Sequence, residues 1–275
     1  MGIDPEDEAG HHWFEELADH MGPAYLKYSF TRGTANEVAF LVDQLGLRPG
    51  MRVLDVGCGP GRHSLALAAL GIETVGIDIS QRFVDLANEA AEKAKSETDT
   101  PAPASFHRLD ARNLTFDAEF DAVISLCQGA FGLSGGPAAD STPPDAATTV
   151  AAEADLSSVD VDLPVLAGMT RALRPGGRLA FSAFSAYFQV RWLEDTDDFD
   201  AAAGVNRETT SVRNPAGEER SVDLWTSCFT PRELRLLCRS AGLVVEEIHS
   251  VTPGAYAVGP PSIDQPEFLV IARRP

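Results

Sequence analysis

The feature that most constrains this chain is the run Val53-Leu54-Asp55-Val56-Gly57-Cys58-Gly59-Pro60-Gly61. Arg52–Val56 reads as a short buried strand, three glycines follow at alternate positions, and Arg62–Leu70 at once takes up helical periodicity. Glycine is needed where backbone adopts a positive φ or comes within contact distance of a ligand. A helix that starts directly after such a loop points its unpaired N–H groups at whatever the loop holds. Strand, tight loop and helix in this order open a βαβ unit, and βαβ units build a parallel sheet.

The rest of the chain keeps that rhythm. Thr74–Ile79, Ser105–Leu109, Ala122–Leu126 and Arg178–Phe184 read as strands, with helices expected over Arg82–Lys95 and Pro164–Leu173. Pro231–Ala241 is a further helix, with Thr230 as N-cap and Gly242 just beyond its end. Leu243–Ile248 and Glu267–Ala272 read as the last two strands. Ahead of the glycine loop, two amphipathic helices are expected over His11–Leu26 and residues 34–45, the second stopped by Gly46 and Pro49-Gly50. Residues 1–33 are therefore assigned to an acidic tail and a lid, and residues 34–275 to one domain. Two segments interrupt that domain. Residues 133–162 are rich in Ala, Asp, Ser, Thr, Pro and Gly and read as a flexible insertion. Residues 205–229 alternate around Asn214-Pro215-Ala216-Gly217 and read as a β-hairpin insertion.

Charge narrows the partners. A formal net charge of −19 repels phosphate backbones and anionic lipid surfaces, which argues against nucleic acid and membrane as partners. No apolar run approaches the roughly 20 residues of a membrane span. The N-terminus lacks the apolar core of a signal peptide, and the four cysteines form no C-x-x-C pair, so a reducing cytoplasm is expected. The six His and four Cys do not cluster at ligand spacing, and no metal site is expected.

The loop admits two readings. A dinucleotide-binding loop is G-x-G-x-x-G, with its third glycine where Arg62 stands; here the spacing is G-x-G-x-G. Asp55, two residues before the first glycine, would repel a pyrophosphate and suits a ligand carrying an ammonium group. Asp78 closes the second strand about 20 residues past the first glycine, the spacing at which an acid accepts from ribose hydroxyls. Ile79 beside it could cover an adenine face. Leu109-Asp110-Ala111 ends the third strand, where a carboxylate could accept from an adenine amino group. All three acids fall at the carboxyl ends of neighbouring strands, the place where open α/β sheets bind ligands.

The run VLDVGCGPGRHSLALAALGIETVGIDIS resembles the opening of class I S-adenosylmethionine-dependent methyltransferases, and LDARNL, FDAVISLCQGAFG, LRPGGRLAFSAF and FTPRELRLLCRSAGL continue the resemblance. It implies an α/β, doubly wound Rossmann-like, seven-stranded and mostly parallel sheet whose last strand is antiparallel, with an N-terminal helical lid and a small antiparallel insertion. It also implies S-adenosyl-L-methionine as cofactor. Asp55, Gly57, Cys58, Gly59 and Gly61 would hold its methionine end, Asp78 and Ile79 its ribose and adenine side, and Asp110 and Ala111 its adenine. Tyr25–Arg32 resembles the lid of small-molecule methyltransferases, so Arg32 is a candidate for the cofactor carboxylate and Tyr28 for the substrate. After the fourth strand, Cys127 and Gln128 would face the methionine moiety, and Gln128 also the substrate. Tyr187, Trp192 and Tyr256 are further substrate-side candidates.

Transfer from a sulfonium needs alignment and exclusion of water more than acid–base help. No base stands out; His63 and Tyr256 are the candidates. The expected activity is methyl transfer to O, N or C of a small molecule by in-line displacement, in a monomer or homodimer. An oxidoreductase binding a nucleotide cofactor, and a binding module without catalysis, are the alternatives. The charge and the absence of an N-P-P-Y-like tetrapeptide after the fourth strand disfavour RNA and protein acceptors.

Overall fold

The computed structural model describes residues 12–97, 102–127, 129–133 and 161–275. The expected tail, most of the 133–162 insertion, and Gln128 lie outside the described residues.

Five parallel strands form the first part of the sheet: β1 (Arg52–Val56), β2 (Glu73–Asp78), β3 (Ala104–Arg108), β4 (Phe120–Ser125) and β5 (Leu173–Ser185), in the order β3-β2-β1-β4-β5. The last strand in the chain, β10 (Glu267–Arg273), inserts antiparallel beside β5, and β9 (Val244–Val251) pairs antiparallel with β10. That makes the seven-stranded, mostly parallel sheet. β1 and β2 are buried on both faces beyond their first residue, as strands sandwiched by helices must be.

Alternation along the strands divides the core. Leu54, Val56, Val75, Ile77, Val123 and Val270 face one layer, with α5 (Leu163–Ala172) and α7 (Pro231–Ser240). Val53, Ile124, Ala180 and Leu269 face the other, with α2 (Thr34–Leu45) and α3 (Arg62–Ala69). α4 (Gln81–Glu97) packs Val84, Ala87 and Ala91 against β3. Thr230 and Glu233 form the capping box that starts α7, and Gly46 in the left-handed region ends α2.

The N-terminal helix is shorter than its periodicity suggests. α1 covers Trp13–Met21; Gly22, at φ 45°, and Pro23 then turn the chain into 3-10 turns over Gly22–Lys27 and Ser29–Thr31. Leu17, Ala18 and Met21 of α1 meet Phe83 of α4 and Val212 of a second, antiparallel unit.

That unit follows β5 and the short α6 (Ala186–Arg191). It consists of β6 (Asp197–Asp200), β7 (Val205–Arg213) and β8 (Glu219–Phe229), with β7 and β8 joined through Asn214–Glu218. A strand has two hydrogen-bonding edges. Phe184 pairs with Glu267 on one edge and with Cys228 of β8 on the other, the edge that β4 leaves after Ser125 pairs Phe181. β8 therefore continues over the carboxyl end of β4. Phe229 stacks on Phe131 at 4.9 Å, and Ser227 N donates to Gly132 O at 2.8 Å, sealing the unit onto the chain that follows β4.

Candidate active site

Gly57, Gly59 and Gly61 all adopt positive φ, 73°, 53° and 79°. At Gly57 a Cβ would sit 2.0 Å from the Gly129 carbonyl carbon, so this glycine lets the β1 loop touch the backbone after β4. At Gly59 the nearest atoms are Tyr25 at 3.7 Å and Phe83 at 4.0 Å, so its open side faces a cavity. Asp78 organises the loop from below: its Oδ2 accepts from Gly59 N at 2.8 Å and its Oδ1 from Ser80 N at 2.9 Å. Burial pushes its carboxyl up to about 6.

Two depressions meet at Gly57, Asp78 and Gly129. The smaller recess is walled by Ile79, Leu109, Asp110 and Ala111, with His12 and Phe14 from the N-terminal segment on the far side. Asp110 caps the turn after β3, accepting from Arg112 N at 2.9 Å, and is ion-paired with the Arg112 guanidinium at 2.6 Å. Burial raises its carboxyl, and Arg112 overrides that to leave it below the usual range. His12 Nε2 lies 3.1 Å from Leu133 O and so joins the lid to the chain after β4. Acids at two strand ends flanking apolar Ile79 and Leu109 are what a nucleoside requires: acceptors for hydroxyls and amino protons, and apolar faces for a base.

The larger cavity, about 450 Å³, lies over the glycine loop. Trp13, Phe14, Tyr25, Tyr28 and Phe30 of the N-terminal segment, Phe83 of α4 and Phe184 of β5 give it aromatic walls. The inward face of β7 and β8 adds Glu208, Thr210, Val212, Leu224 and Thr226. Cys127, Pro266 and Glu267 complete its floor. Tyr28 stacks on Phe30 at 5.9 Å, and its hydroxyl accepts from Arg213 N at 3.1 Å.

The sequence candidates divide accordingly. Gly57, Gly59, Asp78, Ile79, Asp110, Ala111, Cys127 and Tyr28 line one or both depressions. Gln128 lies outside the described residues. Asp55 lies beneath the loop, 1% exposed, and accepts from Ser64 Oγ at 2.7 Å, so its side chain holds the start of α3 rather than a cavity wall. The Cys58 side chain is buried beside Ala87 and Phe106, and Gly61 packs against Phe106, leaving backbone as what either could present. Arg32 is exposed and lines neither depression, because the turn at Ser29–Thr31 carries it outward.

Three further candidates sit elsewhere. Tyr187 lines a separate open groove with Val190 and Ile263, and Trp192 is 55% exposed and lines neither that groove nor the two depressions. Tyr256 is 3% exposed in the core with Phe40 and Leu269. His63 is buried too, its Nε2 2.7 Å from Glu37 Oε2.

Glu37 is a buried acid that stands outside the motifs around the glycine loop. It is fully buried on α2 and pairs with Arg62 and His63, while its Oε1 accepts from Gly254 N at 2.8 Å. Burial raises its carboxyl, but His63 and Arg62 outweigh that and bring it down to about 2. Arg62 also donates to Thr34 Oγ1 and to Cys127 Sγ, both at 2.9 Å. Cys127 is a non-glycine residue at φ 51°, a strained conformation of the kind kept at ligand sites. Burial raises its thiol well above the usual range, and Glu267 nearby raises it further, which removes it as a nucleophile.

Residues 47–212 match a family model described as a methyltransferase domain. The chain is 28% identical over 255 residues to the cypemycin N-terminal methyltransferase of Streptomyces sp., covering 82% of this chain and 84% of that one. It is 32% identical over 146 residues to the 27-O-demethylrifamycin SV methyltransferase of Amycolatopsis mediterranei, covering 52% and 42%. Among solved structures, the CcbJ methyltransferase from Streptomyces caelestis superposes with a TM-score of 0.70 at 18% identity, covering 96% of this chain and 98% of that one.

Proposed function

The chain belongs to the class I S-adenosylmethionine-dependent methyltransferases, and from that premise we propose that it methylates a small, largely apolar acceptor held in the aromatic cavity over the glycine loop. The observation that carries the reading is that this cavity and the smaller recess, flanked by Asp110 and the apolar Ile79 and Leu109, share one border, Gly57, Asp78 and Gly129. A cofactor bound across that border would present one end to the cavity.

The residues present fit S-adenosylmethionine. Asp78 offers carboxylate lone pairs at the border, Ile79 and Leu109 offer apolar faces, and Asp110 offers an acceptor in the recess. The side of Gly59 that a Cβ would occupy is open to the cavity. When bound, the cofactor supplies an electrophilic methyl carbon on a sulfonium.

The chain's own groups then have three tasks. The glycine loop and Asp78 bind; Asp55, Glu37 and Arg62 stiffen the loop and the Cys127 turn from behind. The N-terminal segment and the β6–β8 unit roof the cavity, which excludes water and restricts the acceptor to near-attack orientations. The cavity walls, with seven aromatic side chains and no Lys, Arg or His among the described lining residues, suit an uncharged or cationic organic molecule rather than a nucleic acid. The four cysteines are free thiols, which supports a reducing cytoplasm as the site of action. One relative is named an N-terminal methyltransferase and another a 27-O-demethylrifamycin SV methyltransferase, and these names leave the acceptor atom open for this chain.

The test is a calorimetric titration. S-adenosylhomocysteine should bind in the micromolar range, about −8 kcal/mol, while NAD should not bind. No binding of S-adenosylhomocysteine at millimolar concentration by the folded protein overturns the assignment.

A further inference from the structure

We propose that β6 and the groove beside it dock a partner protein through one extended segment, added as a further strand, in which apolar side chains alternate with lysine or arginine.

The groove shares no lining residue with the cofactor recess or the acceptor cavity. It is open, about 760 Å³ in volume, and lies between α6, the turn from β6 to β7 and the start of α7. Tyr187 and Val190 of α6, Phe199 of β6, Ile263 and the alanines at 201–203 make its surface largely apolar. Tyr187, Val190 and Ile263 are each about half exposed, and so are Trp192 and Leu193, the next residues after α6. Large apolar side chains left in water side by side mark an interaction surface.

The strand beside the groove has an open edge. Among the described residues β6 pairs only with β7. In an antiparallel pair, residues alternate between those that bond the partner and those whose N–H and C=O point away. Thr209 N donates to Thr196 O at 2.9 Å, and with Asp197 opposite Glu208 this turns Asp198 and Asp200 toward β7 and Asp197 and Phe199 outward. Asp197 N donates to Glu194 O at 3.0 Å, inside the preceding turn. Phe199 therefore presents an N–H and a C=O to the open edge, the groups through which an extended segment joins a sheet.

Side chains alternate across the same strand. Phe199 lines the groove, whereas Asp198 and Asp200 point to the opposite face and are exposed. Asp198 makes an exposed pair with Arg207 at 3.0 Å, and Asp200 spends one oxygen on the turn, accepting from Ala202 N at 2.8 Å. A segment laid along this edge sets alternate side chains beside Phe199 and beside these aspartates. Cross-strand neighbours favour apolar against apolar and base against acid, which fixes the alternation.

Charge selects the occupant. Glu194, Asp195, Asp197, Asp198 and Asp200 put five acids into seven residues, and the bases at either end, Arg191 and Arg207, are paired with Asp264 and Asp198. Edge strands are commonly blunted by charge. Here the charge has one sign. It repels a second copy of this chain, which would bring the same five acids and a net charge of −19, and it attracts a basic segment.

The test uses the full chain and a fluorophore-labelled, end-blocked peptide, Lys-Val-Lys-Phe-Lys-Val-Lys. Anisotropy is read at about 0.15 M salt, where exposed charges are screened beyond about 8 Å. Lys-Ser-Lys-Ser-Lys-Ser-Lys keeps only the charge, and Glu-Val-Glu-Phe-Glu-Val-Glu only the apolar face. The first peptide should bind with a Kd of about 10–100 μM and the other two at least about tenfold more weakly. Asp198→Lys should weaken it about two- to fivefold, the worth of a cross-strand charge pair. Tyr187→Ser together with Val190→Ser should weaken it about tenfold, whereas Glu89→Lys, at an exposed position on α4, should leave it within about twofold. S-adenosylhomocysteine affinity should stay within about twofold in all these variants, which reports an intact fold. By NMR the Phe199 amide should exchange more slowly once the peptide is bound, and the Asp198 amide, already turned to β7, should not change. Equal binding of the serine peptide, or equal losses in Glu89→Lys and Asp198→Lys, means that only general charge acts and overturns the proposal. Unchanged exchange at Phe199 with peptide bound, or no binding at about 1 mM peptide, overturns it too. So does a dimer of the unaltered chain in sedimentation that Tyr187→Ser with Val190→Ser abolishes, since the groove then belongs to a second copy.

Discussion

Lowering the pH from 8 to 5 should weaken S-adenosylhomocysteine binding, with a break near pH 6 set by Asp78. Burial holds this carboxyl at about 6 in the free protein, even though Ser80 N and Gly59 N both donate to it. Ribose hydroxyls donating to the same group would favour its ionised form, so the complex keeps it charged to lower pH than the free protein does. Between those two values binding expels a proton. Affinity then falls about tenfold per unit below 6, or about 1.36 kcal/mol, and at pH 5 about 0.9 proton is released. Calorimetry in buffers of different ionisation enthalpy reads both quantities. Asp78→Asn should remove the break and weaken binding at pH 8 by about 1.5–3 kcal/mol, since a charge-assisted acceptor is lost. The stability of the free protein runs the other way: the folded state binds this proton more tightly than the unfolded chain, whose value is near 3.8. The group's contribution is therefore full below about 4 and is lost as pH rises through about 6. Constant affinity from pH 8 to 5 without proton release would refute the reasoning. So would a break that persists in Asp78→Asn, which would point to His12 in the adjoining recess.

Gly59→Val should abolish cofactor binding while costing the fold about 1–2 kcal/mol, because valine cannot easily adopt φ 53° and its side chain would enter the cavity; calorimetry and thermal melting separate the two effects. Glu37→Ala should destabilise by about 3–5 kcal/mol, read by urea unfolding, since it leaves the buried Arg62 and His63 without their shared carboxylate. A cost below about 1 kcal/mol would mean that this cluster is solvated. Deleting residues 1–32 should remove most methyl transfer and weaken S-adenosylhomocysteine less, because Asp78, Ile79 and Asp110 remain. In the intact chain, hydrogen exchange at residues 25–31 should slow when ligand is added; unchanged exchange there, beside protection at Gly57–Gly61, would detach the segment from the site.

What was legible in the sequence is what is local. β1, the glycine loop and α3 are contiguous, so positive φ and proximity to a ligand could be read from residue type and spacing. Asp78 and Asp110 could be placed because both terminate parallel strands, and strand ends in such sheets share one edge. The misplacements are tertiary. Arg32 and Arg62 differ little as letters, yet one sits on a 3-10 turn that faces outward and the other at the head of α3 against Glu37. Tyr256 and Trp192 are both aromatic and lie beyond the carboxyl ends of the strands, but the first is drawn into the α2 layer and the second, just past α6, is left exposed. Glu37 did carry a signal: it falls four residues before Leu41 and eight before Leu45, on the buried stripe of α2, where an acid requires a buried partner. Glu208 and Glu267 carried none, because nothing in a β-hairpin or an apolar last strand says that both will turn toward one cavity.

The architecture separates the two substrates by the kind of contact that holds each. The cofactor side is built from backbone close to the sheet core, where Gly57 touches Gly129 and Asp78 fixes Gly59. Any change there disturbs the sheet as well as the ligand. The acceptor side is made from two additions, the N-terminal segment and the β6–β8 unit after β5. They meet each other and α4 through Leu17, Met21, Phe83 and Val212. The polar ties at the rim, Glu16 to Arg220 and Glu15 to Arg108, are exposed pairs worth about 0–1 kcal/mol each. The apolar seam is worth about 1.5–3 kcal/mol for each large side chain it buries, so it, and not the ion pairs, holds the roof in place. Substitutions at Thr210 or Thr226, which lie on the inward face of β7 and β8 but outside the seam that holds Val212 and packs Leu224, can therefore retune what the cavity accepts without touching the glycine loop. On this reasoning the β6–β8 unit, an addition outside the core of the sheet, is the part of the site best suited to set acceptor specificity.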